Sequence, residues 1–300
     1  MRLSLTLAAM AIAALLLATP ASAITGGRPD EGDHPYIALM QTYDANRVPL
    51  QVCSGSLVSP TVFLTAGHCV EEPRAVHAEI WLDDGPILPD IDYLLALFLD
   101  PNFTGSCDYS PAFDGYPCDG DSGGTPHAHP DFCFDCSPGL ANQVSRDVAV
   151  VALDRPVAEA TVGRFADLPA PRQVDTLANR SPVDLVGYGV QFQQKGVPGK
   201  YFSKPPPGSR WANPGQRMRA AAELVTGNFA GSDERIRFTL NANQDSGGMC
   251  FGDSGGPDLI GGTDTVLAVN SFVTNANCSG VGYTERVDVP EVLAWIGSFM

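Results

Sequence analysis

With 300 residues, 44% of them hydrophobic, the chain can bury a sizeable core and is long enough for one large or two medium domains. Its 34 acidic side chains against 18 basic ones give a formal charge of −16, which favours solubility and argues against nucleic acid and anionic membranes as partners.

The chain opens with Met1-Arg2, an apolar run over residues 3–18 and then Pro20-Ala21-Ser22-Ala23. These are the charged start, hydrophobic stretch and small-residue cleavage site of a secretory signal peptide. The run is too short for a membrane anchor, and no later stretch is apolar for long enough to span a bilayer. Residues 1–23 are therefore expected to be removed on export, leaving Ile24 at the head of a secreted chain, extracellular or periplasmic. Eight cysteines in such a chain favour disulfides over metal sites.

Residues 36–40, 52–58 and 62–64 are apolar runs broken by Gly, Pro, Asp and Asn, which predicts short strands and an all-β chain with no long amphipathic helix before its carboxyl end. Residues 83–145, rich in acid, Pro, Gly and Cys, read as an insertion. Its Cys107, Cys118, Cys133 and Cys136 allow three pairings among themselves. His127, His129, Asp131, Cys133 and Cys136 crowd together like metal ligands, and Asp114, Asp119 and Asp121 have the chemistry calcium takes. Neither set has a recognised spacing, and no EF-hand pattern is present, so no metal and no cofactor is expected. Asp147 heads the apolar run 148–153, where a buried carboxylate needs partners. Residues 155–180 read as a connection between two units, 24–170 and 171–300. Strands are expected near 183–189, 218–226 and 236–240, around a basic, proline-rich loop at 191–213. A further strand is expected at 266–273, and Pro290 starts a short terminal helix.

The most informative stretch is Gly247-Gly248-Met249-Cys250-Phe251-Gly252-Asp253-Ser254-Gly255-Gly256-Pro257, in which glycines flank a candidate nucleophile and permit tight positive-φ turns. With Cys four residues before the Ser, it resembles the nucleophile loop of the trypsin/chymotrypsin-like serine proteases. Leu64-Thr65-Ala66-Gly67-His68-Cys69 is similar to that family's histidine motif, Arg146-Asp147 with its apolar run to its aspartate motif, and Ile24-Thr25-Gly26-Gly27 to its mature amino terminus. The order of the four motifs is also the family's.

The resemblance implies two packed antiparallel six-stranded β-barrels with the active site between them and a short carboxyl-terminal helix. It implies a Ser254, His68 and Asp147 triad, an oxyanion hole from the amides of Gly252 and Ser254, and an ion pair between the Ile24 amine and Asp253. Disulfides Cys53–Cys69 and Cys250–Cys278 follow from it. The partners it implies are polypeptide substrates and protein inhibitors of a monomer. The substrate pocket would have Gly248 at its floor beside Met249, Ser271, Phe272 and Val273 along one strand, and Val273 and Val281 as walls. An aspartate at the floor would select Lys or Arg; Gly248 there, with Asp245 three residues too early, points instead to small or medium apolar side chains.

A second near-match, Cys118-Asp119-Gly120-Asp121-Ser122-Gly123-Gly124, lies before the aspartate motif, and order in the chain favours Ser254. Two readings compete with an active endopeptidase: an inactive homologue serving as a binding module through its acidic insertion, and an esterase or transferase using the same three residues.

Overall fold

In the computed structural model the described residues are 24, 26–71, 74–134, 144–189, 215–227, 232–240, 247–274 and 278–300. The expected signal peptide, Cys136, the basic loop at 191–213 and Asp245 lie outside them. No described helix is long and apolar enough to cross a membrane.

The first half follows the order β1 (Arg28–Pro29), β2 (Ile37–Tyr43), β3 (Pro49–Ser59), β4 (Val62–Thr65), helix α1 (His68–Glu71), β5 (His77–Trp81), helix α2 (Ile91–Leu99), β6 (Ser122–Ala128), β7 (Cys133–Phe134), β8 (Val144–Ser145) and β9 (Ala149–Leu153). Strands β2-β3-β4-β9-β6-β5 close into an antiparallel barrel. All seven residues of β2 are buried, because one face of the strand fills the barrel and the other meets the rest of the molecule.

Strand β6 corrects the expected insertion. The segment from 83 to 145 is not all additional: Ser122–Ala128 is a strand of the barrel, paired with both β5 and β9. The Gly123-Gly124 pair that imitates a nucleophile loop serves packing. A Cβ at Gly124 would stand 2.0 Å from the Ala152 carbonyl oxygen, and one at Gly123 2.4 Å from Glu79 Oε2. What is added is the stretch before β6. It carries α2, whose amino end is capped by Asp90 accepting from the Tyr93 N–H, and the Cys107–Cys118 disulfide. Tyr93, Phe103 and Phe113 form a small separate core with Tyr43.

After a short helix α3 (Glu159–Val162), the second half contains β10 (Pro182–Gly187), β11 (Met218–Glu223), β12 (Arg235–Leu240), β13 (Pro257–Ile260), β14 (Val266–Val273), β15 (Gly280–Arg286) and the terminal helix α4 (Pro290–Gly297). Its strands form one sheet in the order β1-β11-β10-β13-β14-β15-β12. The sheet curls until its far strands meet at the Leu224–Phe238 bridge, so this unit is a curled half-barrel of seven strands beside a closed barrel of six. Helix α4 docks through the buried Val292 and Ile296 onto the same core as the first barrel. His127 and His129 pack against Phe299 and Trp295 at this contact.

The largest buried charge spans the two units. Arg217 is 2% exposed; its Nε donates to Asp30 Oδ2 (2.9 Å) and its Nη1 to the Ile37 carbonyl (2.9 Å), the Leu82 carbonyl (3.1 Å) and the Tyr188 hydroxyl (3.2 Å). The other Asp30 oxygen faces His34 Nδ1 at 2.5 Å.

Candidate active site

His68 is the first residue of α1, directly after β4, and Asp147 stands just before β9. Strands β4 and β9 are neighbours, with Thr65 opposite Ala149, so barrel closure brings the imidazole and the carboxylate together. Asp147 is fully buried and accepts from the His68 backbone N–H on Oδ1 (2.8 Å). His68 Nδ1 lies 2.8 Å from Oδ2, and the Ser271 hydroxyl from β14 donates to that same oxygen. Burial pulls the His68 imidazolium down, but the charge and hydrogen bond of Asp147 outweigh it and leave the pKa above the ordinary histidine value. Burial pushes Asp147 up, and His68 with Ser271 more than offsets this, so the carboxylate lies below its ordinary range.

The nucleophile-like loop between β12 and β13 is fixed to the first barrel by Ser54. The Ser54 N–H donates to the Ser254 carbonyl (2.8 Å) and its hydroxyl to the Gly252 carbonyl (2.9 Å). Two glycines make this approach possible. Gly252 has φ +93°; Gly255 has φ +76°, and a Cβ on it would stand 2.1 Å from Thr65 Oγ1, so any side chain there would collide with the strand that leads to His68. Among the described residues, the amides of Gly252 and Ser254 donate to no group in the chain, whereas those of Asp253, Gly255 and Gly256 are all engaged.

Asp253 points the other way, into the second unit, with no exposure. Its Oδ1 accepts from Gly189 N–H and its Oδ2 from Cys250 N–H, both at 2.8 Å, and the Ile24 backbone N–H is a third donor. Ile24 is itself fully buried in the second core. Desolvation dominates the three donors, and the Asp253 carboxyl is pushed up to about 7.

His68 and Ser254 line one cleft of about 190 Å³, together with Met249, Cys250, Phe251, Asn270, Ser271, Phe272 and Val273. Cys53–Cys69 and Cys250–Cys278 are disulfides, and Cys133 is disulfide-bonded as well. The described cluster with metal-ligand geometry is Cys53, His68 and Cys69, and the disulfide between its two sulfurs removes their thiolate character.

Four expected pocket residues, Met249, Ser271, Phe272 and Val273, line the cleft; Gly248 and Val281 do not. The reason is steric. Leu240 stands against Gly248, where a Cβ would lie 2.8 Å from its Cα, and Met249 Cε would meet a Cβ on Gly282 at 2.6 Å. Leu240 and Met249 thus pack directly on Gly248 and Gly282, and neither glycine lines the cleft. Val281 is set opposite Thr239 in the β12–β15 pair. Phe272 stacks on Tyr283 with ring centres 4.9 Å apart, which stiffens the outer wall. Ser122, the other serine in a nucleophile-like motif, is 1% exposed and donates to the Arg155 carbonyl inside the first barrel.

Sequence reasoning missed Asn270, Ser54 and Arg217. Ser54 had a signal in the Ser54-Gly55-Ser56 run beside Cys53; Arg217 had none.

The trypsin family model matches residues 24–87. Among solved structures, HL collagenase superposes with a TM-score of 0.59 at 17% identity, covering 94% of this chain and 97% of its own. Human heparin binding protein gives 0.56 at 16% identity, over 92% and 96%. A scabies mite inactivated protease paralogue, S-I1, gives 0.55 at 16%, over 91% and 98%. No curated protein matches by sequence. The chain therefore has the trypsin-like fold.

Proposed function

We propose that the chain is a secreted serine endopeptidase that cleaves peptide bonds through Ser254, His68 and Asp147 by way of an acyl-enzyme. The observation that carries this reading is the doubly held imidazole. His68 is bonded to Asp147 through both its backbone and Nδ1 and shares its cleft with Ser254.

A serine hydroxyl is a poor nucleophile near neutral pH, so it needs a base as its oxygen attacks the carbonyl. Nδ1 faces Asp147, which leaves Nε2 as the base. Asp147 keeps that tautomer and stabilises the imidazolium without taking the proton. The uncommitted amides of Gly252 and Ser254 stabilise the tetrahedral oxyanion, each contributing about 2.7–4 kcal/mol. His68 then protonates the leaving amine, and water releases the acyl group. An extended substrate adds as a strand along Ser271–Val273. A cleft of about 190 Å³ suits a P1 side chain of small or medium size, and the walls made by Met249, Phe272 and Val273 favour apolar contact. Lys and Arg are disfavoured at P1.

A fluorophosphonate probe tests the reading. Labelling is expected in the wild type and in Ser122→Ala, and is expected to vanish in Ser254→Ala; an unlabelled wild type would count against catalysis. The likeness to an inactivated protease paralogue favours a second reading, a binding module. The presence of all three side chains opposes it.

Signal-peptide removal would turn the Ile24 amide, already directed at Asp253, into an ammonium and supply the missing positive partner. Asp253 would then ionise, and the amine pKa would rise above the ~8 of a free terminus. An amine with a raised folded pKa contributes fully below ~8 and loses its contribution as pH climbs through the raised value. Activity is accordingly expected to fall on the alkaline side. Asp253→Asn is expected to reduce kcat/KM more than tenfold while preserving the far-UV circular dichroism. A full-activity Asn variant would show the pair to be dispensable.

A further inference from the structure

The cleft has apolar sides, but one residue of its lining is polar in a way the chemistry above does not require. Asn270 lines the cleft and is 1% exposed. Its backbone is committed to the nucleophile loop, donating to the Gly256 carbonyl (2.9 Å) and accepting from the Gly255 N–H (2.8 Å). Its side chain is committed to nothing, since both amide atoms are buried without a hydrogen-bond partner. Leaving such a group unsatisfied costs about 1–3 kcal/mol, and folded proteins rarely tolerate it without a reason.

Two further polar groups stand on the same face of the sheet. Thr284 is directly opposite Asn270 across β14–β15. Asp258 pairs with Ala268, one pleat along β14 from Asn270, and strand alternation puts Ala268 and Asn270 on one face. The Thr284 hydroxyl and the Asp258 carboxyl are also buried, and the two interact with each other. Burial pushes the Asp258 carboxyl well above the ordinary range. An amide, a hydroxyl and a carboxyl group therefore stand on one face of the sheet behind the nucleophile loop, and Asn270 lines the cleft.

This set matters for substrate choice because of what fills the cleft. Leu240 packs on Gly248 and Met249 on Gly282, and the cleft measures about 190 Å³, a size that suits a short side chain. An apolar one would cover the Asn270 amide and leave it dry, whereas a hydroxyl or amide would give it a partner. A site built to hydrogen-bond rejects an isostere lacking the polar group far more strongly than an apolar pocket discriminates by one methylene.

We propose that Asn270 is a specificity-determining residue, and that the cleft selects short P1 side chains ending in a hydroxyl or an amide over their apolar isosteres. This rests on the endopeptidase reading and changes the polarity, not the size, of the P1 preference given with it. The test uses the mature chain and peptides identical except at P1, compared as Thr against Val and Asn against Leu. In the wild type, kcat/KM is expected to favour the polar member of each pair at least tenfold. In Asn270→Leu the ratios are expected to fall to one or below, and Thr284→Val is expected to lower them partially. Wild-type ratios under threefold overturn the proposal even where the Leu variant fails to fold. Such ratios with fluorophosphonate labelling of Ser254 intact would remove this inference and leave the endopeptidase standing; absence of labelling would remove both.

Discussion

Replacing Asp147 with asparagine is expected to lower kcat about 10⁴-fold with little change in the fold or in KM. Asn is nearly isosteric with Asp, and the site at the head of β9 is fully buried, so the packing persists. What changes is the direction of one hydrogen bond. Asp147 Oδ2 receives Nδ1 of His68 and the Ser271 hydroxyl together, while Oδ1 receives the His68 backbone amide. An Asn side chain has one oxygen for three donors. With its oxygen kept by the backbone amide, its NH₂ faces Nδ1, which must then become an acceptor. The proton moves to Nε2, and the base proposed for Ser254 is lost. Steady-state kinetics on one peptide substrate measure the drop. In the wild type, kcat/KM should rise with pH through a pKa above the ordinary 6.5, since burial lowers and Asp147 more strongly raises that of His68, and only the neutral imidazole accepts a proton. Adding Ser254→Ala to the Asn variant should cost far less than it costs alone, because residues acting as a unit are not additive. An Asn variant retaining a tenth of wild-type activity would contradict this account.

The site was legible where its chemistry is local. Gly252 and Gly255 sit in the left-handed region, and the turn they form can be read directly from the glycines around Ser254. His68 and Asp147 were legible through the motifs around them, Thr65-Ala66-Gly67 on one side and the apolar run 148–153 on the other. Strand β6 was hidden by its own composition: Gly123, Gly124 and Pro126 argue against a strand, yet Gly124 is there because the Ala152 carbonyl leaves no room for a Cβ. The depth of the cleft was legible only in part. Met249 lies five residues before Ser254 in sequence, but Leu240, which packs on Gly248, comes from β12, and only the curl of the sheet brings the two together. Asn270, Thr284 and Asp258 lie on three strands, and their shared face is a product of register that no local pattern announces. Arg217 was invisible for the same reason, since a charged residue at the edge of a basic loop gives no sign of being enclosed.

That enclosed arginine leads to the second large effect. Arg217→Leu is expected to destabilise the fold by about 3–5 kcal/mol, the range found when one partner of a buried ion pair is removed. Leucine could fill part of the volume. It could not satisfy Asp30, which would keep only its contacts to the ring and backbone of His34. Nor could it replace the donors to the Ile37 and Leu82 carbonyls and the Tyr188 hydroxyl. Because Arg217 lies just before β11 and its partners lie at the entry to β2, the end of β5 and β10's exit, the loss falls on the junction between the barrel and the curled sheet. Burial raises the Asp30 pKa, and His34 and Arg217 together outweigh it, leaving the carboxylate below its ordinary value. A depressed carboxylate contributes stability that is present above its unfolded pKa of ~3.9 and is lost as pH falls through the folded value. The wild type should therefore lose stability in acid more steeply than the variant, whose Asp30 has less to lose. Urea unfolding at pH 7 and near pH 3 measures both, with Ser254→Ala as the background to prevent self-digestion. An unfolding free energy in the variant within about 0.5 kcal/mol of the parent at pH 7, inside the range of an ordinary surface substitution, would mean that the arginine is not what joins the two units. Tyr188 lies on the same line of contacts and is followed by Gly189, whose amide holds Asp253. A loosened junction should thus reach the nucleophile loop, and the variant's kcat should fall at urea concentrations too low to unfold it.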